Sequence, residues 1–95
     1  MKVVWTNLAA QGWQEVALYI LQSFGAKALQ DFEQRTYDAE KEISLMPNIG
    51  AIEWNDSKEN MTYRYIVINR RSKMLYFIEK DTLYIADFWD VRQNR

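Results

Sequence analysis

The side chains best suited to chemistry are cations and aromatic rings in the last third of the chain. The rings of interest are Tyr63, Tyr65, Tyr76, Tyr84 and Trp89. The cations that lie among or beside them are Arg64, Arg70, Arg71, Lys73, Arg92 and Arg95. Guanidinium groups bind phosphates and carboxylates, and flat rings stack on unpaired bases. Together these residue types would fit a site for single-stranded RNA.

A purely structural role is the alternative for the same cations. An arginine inside a strand must be paired or face a site, and Arg64 could pair with Asp87 or Asp90 across a sheet. Arg70 and Arg71 could belong to a solvated hairpin turn. Residues 1–60 hold five Lys/Arg against nine Asp/Glu, whereas residues 61–95 hold seven against four. This asymmetry is compatible with a basic working surface and equally with chance.

The composition excludes several classes of function. The 95 residues include no histidine and no cysteine, which rules out Ser-His-Asp and Cys-His catalysis, disulfides and Cys-ligated zinc. No loop has the carboxylate spacing of a calcium site, so we expect no metal and no cofactor. No run approaches the ~20 apolar residues of a membrane helix, and the first residues do not resemble a signal peptide. We therefore expect a cytoplasmic protein with no membrane partner.

Hydrophobic periodicity predicts two helices near the start of a single domain that spans residues 1–95. Lys2–Thr6 is typical of a strand, and Asn7 would cap the helix that follows. Gly25 would end this helix, and a second would run from about residue 26 to residue 45 before Pro47. The apolar residues that repeat every three or four positions in the first helix are Leu8, Trp13, Val16, Ala17, Ile20, Leu21 and Phe24. In the second helix, Leu29, Phe32 and Ile43 are predicted to be buried.

Four further runs are typical of strands, at residues 51–55, 61–68, 73–79 and 82–89. The last three are joined by hairpin-sized links, which predicts an antiparallel meander. The order β-α-α-β-β-β-β describes an α+β domain whose helical hairpin packs on one face of a small antiparallel sheet. Large residues occur at both odd and even positions of these strands, so they are predicted to lie on both faces of the sheet. The face away from the helices is therefore expected to be apolar enough to need a partner. The alternative is that a small sheet curls and buries more of its surface.

Several segments, in this order, resemble the RelE/ParE family of toxins from bacterial type II toxin–antitoxin systems, which include plasmid-stabilisation systems. They are Pro47-x-x-Gly50, the strand sequence Y-R-Y-I-V-I at 63–68, K-M-L-Y-F-I at 73–78 and D-V-R-Q-N at 90–94. Each motif is short and common, but together their order and spacing cover nearly the whole chain. The resemblance implies a toxin that forms a hetero-oligomer with a cognate antitoxin on its open sheet face and C-terminal segment.

The resemblance leaves the activity open. RelE-like members cleave mRNA in the ribosome by 2′-hydroxyl attack without a metal. On that reading Arg64 would contact the phosphate, Lys73 and Arg92 would add positive charge, and Tyr76 would stack or move a proton. ParE-like members poison DNA gyrase without chemistry of their own. The residues that would contact the partner or target are Arg70, Arg71, Trp89, Asp90 and Arg92.

The gyrase poison is favoured because the chain lacks histidine and lacks the terminal tyrosine or histidine of many RelE-like ribonucleases. Ribosome-dependent mRNA cleavage is the close alternative, so the sequence leaves open whether the protein is an enzyme. A second alternative is a protein-interaction domain of the same fold without toxicity.

Overall fold

The computed structural model describes residues 1–92 and contains seven elements of regular structure. In chain order they are β1 (Lys2–Trp5), α1 (Asn7–Phe24), α2 (Ala26–Leu45), β2 (Ala51–Asp56), β3 (Met61–Ile68), β4 (Ser72–Glu79) and β5 (Thr82–Asp90). The predicted order of elements is confirmed. The predicted bounds of α2 and β3 are the observed ones, and the other strand bounds differ by one residue at an end.

The five strands form one sheet in the order β1-β5-β4-β3-β2. The meander of the last three strands is antiparallel as predicted, and β2 continues it beside β3. The N-terminal strand β1 instead pairs in parallel with β5, from Lys2 opposite Thr82 to Trp5 opposite Ile85. The sheet is therefore mixed rather than antiparallel throughout, with β1 and β2 as its two edges.

Glycine and a capping hydroxyl fix the ends of the helices. The N-cap of α1 is Thr6 rather than the predicted Asn7, because the Thr6 hydroxyl accepts the backbone N–H of Ala9 at 3.1 Å. Gly25 ends α1 as predicted, with a φ of 92° that strains any residue carrying a Cβ. Its carbonyl then accepts the first backbone bond of α2, from Leu29 at 3.2 Å.

Both helices pack on one face of the sheet, which we call the covered face. Phe32 from α2 packs edge-on against Phe88 from β5, with ring centres 5.8 Å apart. The backbones of α1 and β5 approach so closely that a Cβ on Gly12 would lie 1.9 Å from the Phe88 carbonyl oxygen. Phe32 and Ile43 are buried as predicted.

Several apolar positions assigned from periodicity to the inward faces are less buried than predicted. Leu29 is only partly buried at the edge of the core. Leu8, Leu21 and Phe24 of α1 are exposed, with 52%, 41% and 57% of their surfaces accessible. The buried stripe of α1 is made mainly of small residues because the helix lies close to β5. Its larger apolar side chains consequently remain at the flanks.

Candidate functional site

The structure distributes the residues predicted to form a site over three places and the hairpin turn between β3 and β4. Arg64 and Tyr76 lie on the covered face beside the turn at residues 47–50. Lys73 and Trp89 lie on the opposite face of the sheet, which we call the open face. The third place is at the edge of α1, where the Arg71, Asp90 and Arg92 side chains lie near one another.

Arg64 and Tyr76 are neighbours in register on β3 and β4, and both hold the same turn. The Arg64 guanidinium donates to the carbonyl oxygens of Asn48, at 3.1 Å, and Gly50, at 2.9 Å. The Tyr76 hydroxyl donates to the Pro47 carbonyl at 2.7 Å and accepts the Gly50 backbone N–H at 3.0 Å. These contacts give Pro47-x-x-Gly50 a structural explanation, since a Cβ on Gly50 would lie 2.6 Å from the Tyr76 hydroxyl.

Tyr76 is fully buried, which limits its use in chemistry. Burial raises the pKa of its phenol above the ordinary value, although the Gly50 backbone N–H acts in the opposite direction. A raised pKa and two occupied hydrogen-bonding positions make this hydroxyl a poor proton acceptor at neutral pH. Its geometry is that of a fixed structural link between β4 and the 47–50 turn.

On the open face, Lys73 is already engaged by its own chain. Its ammonium lies 3.0 Å from the Glu53 carboxylate and 4.0 Å from the centre of the Tyr65 ring. A β-bulge at Glu53, where the register between β2 and β3 shifts, brings this acidic residue into the pair. Trp89 is opposite Lys73 in the register of β4 and β5, so both side chains lie on this face.

A row of aromatic rings crosses the open face from the β2 edge to β5. This aromatic row consists of Trp54, Tyr63, Phe77 and Tyr84, one ring from each of four adjacent strands. Successive ring centres are separated by 4.3, 5.2 and 5.2 Å. Trp54 is 46% exposed, and Tyr63, Phe77 and Tyr84 are partly exposed. The prediction that large side chains occupy both sides of the sheet matches this arrangement.

The third group, which we call the α1-edge cluster, consists of Tyr19, Phe24, Arg71, Asp90 and Arg92. The Arg71 guanidinium lies 5.7 Å from the ring centres of both Tyr19 and Phe24. Arg92 forms an ion pair with Asp90 at 3.2 Å, and its backbone N–H also donates to that carboxylate at 2.8 Å. A cleft of about 240 Å³ with a floor that includes Val16 and Phe32 opens beside these residues.

Electrostatics couple the members of this cluster. The Arg92 guanidinium and then that of Arg71 lower the pKa of the exposed Tyr19 phenol, since both cations favour the phenolate. Partial burial acts to raise the pKa of Asp90, but the hydrogen bonds from Arg92 outweigh it and the pKa is lowered. The bond to Asp90 and then the one to Tyr19 raise the pKa of Arg92. The cluster therefore combines two guanidinium groups and two aromatic rings with the Asp90 carboxylate, and Glu15 lines the adjoining surface beside Tyr19 and Arg92.

The hairpin turn between β3 and β4 carries the remaining predicted residue. Asn69 and Arg70 have φ values of 55° and 62°, so two consecutive residues adopt the left-handed conformation of a tight turn. Arg70 is exposed, whereas the partly buried Arg71 turns back toward α1. The Arg71 carbonyl also accepts the backbone N–H of Val91, which joins this turn to the end of β5.

Sequence reasoning identified the cations of the α1-edge cluster but missed the rings that accompany them. Tyr19 was not considered, and Phe24 was assigned to the buried face of α1. Tyr19 and Phe24 lie five residues apart, a spacing that does not place two side chains on one face of a helix, so the periodicity gave no signal that they meet. Arg95, one of the cations named from the sequence, lies outside the described residues.

Among residues 1–92, no group of carboxylates is arranged to hold a metal ion. Within the same range, no helix has both the length and the apolar character needed to span a membrane.

Comparison with known proteins supports the fold. No protein-family model matches the chain, and no curated protein matches it. A chain from a solved structure described as "Chromosomal ParDE TA system from P. aeruginosa" has a TM-score of 0.75 and 16% sequence identity. The match covers 97% of this chain and 97% of that chain. This chain, with two helices on a five-stranded mixed sheet, therefore shares the overall fold of that neighbour, and the fold expected from the RelE/ParE resemblance is confirmed.

Proposed function

We propose that the protein is the toxin of a type II toxin–antitoxin system and is neutralised by a cognate antitoxin. The observation that carries this proposal is a fold match along 97% of both chains to a structure of a ParDE system. Fold alone does not define function, so the surfaces of this chain must supply the rest of the argument. Its open face and its α1-edge cluster are two separate surfaces suited to macromolecular contacts.

The activity we favour is that of a ParE-like poison of DNA gyrase that acts by binding. RNA cleavage through the 2′-hydroxyl needs a base, an acid and cations gathered around one phosphate. Of the four candidates for that chemistry, Arg64 and Tyr76 hold a turn on the covered face and Lys73 is paired on the open face. Arg92 is paired with Asp90 at the edge of α1. This separation favours binding over catalysis.

Ribosome-dependent mRNA cleavage is the alternative activity, and Arg64 is the residue on which it depends. Arg64 is partly exposed, so a phosphate could approach its guanidinium only in competition with the carbonyls of Asn48 and Gly50. No chemistry is required of it if the protein acts by binding. The two activities therefore predict different effects of substituting Arg64.

The aromatic row suggests how an antitoxin would be held. A polypeptide segment that folds on binding gains affinity when its apolar side chains cover exposed rings. Trp54 and Val67 on the open face are each 46% exposed, and β2 offers an unpaired strand edge beside Trp54. We propose that the antitoxin covers this face and forms a hetero-oligomer with the toxin.

The α1-edge cluster is the surface we propose for the target. Arg71 and Arg92 present positive charge beside exposed rings, and Arg70 extends the same region at the hairpin tip. Arginines and aromatic rings are enriched among the residues that dominate protein interfaces. Trp89 lies on the open face instead, so its substitution tests a different surface from that of Arg92.

Two assays with purified protein separate the activities. A gyrase poison should trap gyrase on DNA as cleaved complexes and leave mRNA intact in a translation extract. Arg92→Ala should weaken trapping, whereas Arg35→Ala, which removes an exposed cation from α2, should not. Message cut in the extract by wild-type protein, and lost in Arg64→Ala, would instead establish the ribonuclease alternative. Inactivity in both assays, together with unimpaired growth on overexpression, would indicate a non-toxic interaction domain.

A further inference from the structure

A second cleft, which the proposed function does not use, opens between the two helices next to β1. It is open to solvent and has a volume of about 340 Å³, within the range of sites that hold a small ligand or a large side chain. The residues that matter for its chemistry are Trp5, Trp13, Glu33, Thr36, Tyr37 and Glu40. The four from α2 are spaced by three, one and three positions, so they form one stripe along that helix.

The two indole rings of this cleft are held in fixed orientations. The Trp5 indole N–H donates to the Glu40 carboxylate, and the Trp13 indole N–H donates to the Thr36 hydroxyl at 3.0 Å. The Trp13 ring also stacks on Phe32 with ring centres 5.4 Å apart. A ring fixed on one side by packing and at its N–H by a hydrogen bond offers its remaining surface to a ligand without further ordering.

The charge of the lining is negative. Glu33 and Glu40 line the cleft, and among residues 1–92 no lysine or arginine belongs to its lining. Glu40 keeps acceptor positions beyond the one used by Trp5, because a carboxylate can accept several hydrogen bonds. Lys41, which lies outside this lining, places its ammonium 5.4 Å from the centre of the Tyr37 ring, so that ring already attracts a cation.

We propose that this cleft binds an arginine or lysine side chain presented by an apolar segment of a partner protein. Carboxylates beside indole and phenol rings suit a cation with a long aliphatic stem, because the rings attract the charge and cover the stem. Charge complementarity selects this occupant over an acidic or purely apolar one. The proposal stands apart from the assignment as a toxin, since the cleft lies away from the open face and the α1-edge cluster.

The test uses the four tryptophans of the chain as reporters. In an NMR titration of the indole N–H signals, Trp5 and Trp13 report on the cleft, while Trp54 and Trp89 serve as internal controls. The probes are the blocked tripeptides acetyl-Leu-Arg-Leu-amide and acetyl-Leu-Gln-Leu-amide, which differ in the charge of the central residue. We expect the arginine peptide to shift the Trp5 and Trp13 signals at lower concentration than the glutamine peptide.

Carboxylate substitutions then test the source of this preference. Glu33→Gln should weaken binding of the arginine peptide by roughly two- to five-fold, the range for one partly exposed cation contact. Glu59→Gln, an exposed change in the β2–β3 loop, should leave binding unchanged. A folded Glu33→Gln protein that binds the arginine peptide with the affinity of wild type would contradict the charge argument.

Other outcomes overturn the proposal directly. Equal effects of the two peptides, or no selective shift of Trp5 and Trp13 at about 10 mM peptide, would show that the cleft does not select a cation. Shifts of the same two signals on raising protein concentration without peptide would show that a second copy of the chain is the occupant. Equal shifts of all four indole signals would indicate nonspecific binding.

Discussion

Substitution of Tyr76 by phenylalanine tests the assignment of this residue to structure rather than catalysis. The change removes only the hydroxyl, which donates to the Pro47 carbonyl and accepts the Gly50 backbone N–H. The Gly50 residue is buried, so its N–H would lose a partner where water does not readily replace it. An unsatisfied buried donor costs about 1–3 kcal/mol.

The effect should be visible as a loss of thermal stability. For a domain of this size, each kcal/mol lowers the midpoint of unfolding by roughly 4–8 °C, so a loss near ~2 kcal/mol corresponds to roughly 8–16 °C. Circular dichroism during heating, together with urea unfolding, measures the change. Tyr37→Phe is the matched control because Tyr37 is 55% exposed, and it should alter the free energy of unfolding by less than about 0.5 kcal/mol.

The pH dependence provides a second measurement on the same pair of proteins. Because the pKa of Tyr76 is raised in the folded state, its contribution to stability is complete below the unfolded pKa of ~10. That contribution is lost as the pH rises through the folded pKa. The difference in stability between wild type and Tyr76→Phe should therefore shrink in alkaline solution.

Two results would refute this account of Tyr76. One is a Tyr76→Phe protein with the stability of wild type, since the two hydrogen bonds would then contribute nothing. The other is a variant that is fully folded at the assay temperature yet cannot cleave RNA that the wild type cleaves. That second result would assign the hydroxyl to chemistry.

Substitutions at three other places in the fold test the packing and the helix start, each by urea unfolding. Gly12→Ala should destabilise the fold by about 1–3 kcal/mol or more, because its Cβ would lie 1.9 Å from the Phe88 carbonyl oxygen; an unchanged midpoint would contradict the close approach of α1 and β5. Thr6→Ala should lower the free energy of unfolding by about 0.5–2 kcal/mol, and Asn7→Ala should lower it by less than about 0.5 kcal/mol. The reverse order would show that Asn7 is the N-cap. Phe32→Ala should cost about 3–5 kcal/mol, with a smaller loss for Phe32→Leu, and tolerance of both would place this ring outside the core.

The elements that the sequence predicts well are those bounded by glycine, proline or turn residues. Gly25 between two periodic runs and Pro47 after the second gave the bounds of α2, and turn residues separated the last three strands. Helix starts and hairpins depend on residues close together in the chain, so their signals can be read from it. The resemblance to a toxin family added the arrangement of these elements into one fold.

Long-range contacts decided what local patterns left open. Thr6 and Asn7 are both good capping residues, but the Thr6 hydroxyl also lies 3.0 Å from the carbonyl oxygens of Ile85 and Ala86. Those contacts join the start of α1 to β5, some eighty positions later. The parallel pairing of β1 with β5 likewise has no local signal, because it joins strands from the two ends of the chain.

The candidate site was the least predictable part because the faces of β5 depend on a β-bulge. Strict alternation from Leu83 and Ile85 would place Asp87 and Trp89 on the covered face and Phe88 on the open one. The register between β4 and β5 shifts so that Leu75 lies opposite Asp87 and Tyr76 lies opposite Ile85. One extra residue therefore lies between these two pairs.

This shift explains why the end of β5 serves two surfaces. Phe88 turns into the core, where it is fully buried, and Trp89 turns to the open face opposite Lys73. Asp90 then returns to the covered side, where it meets Arg92 at the edge of α1. Trp89 and Asp90, which were predicted together as contact residues, thus belong to different surfaces, because a single extra residue in a strand exchanges the side chains that follow it between the two faces.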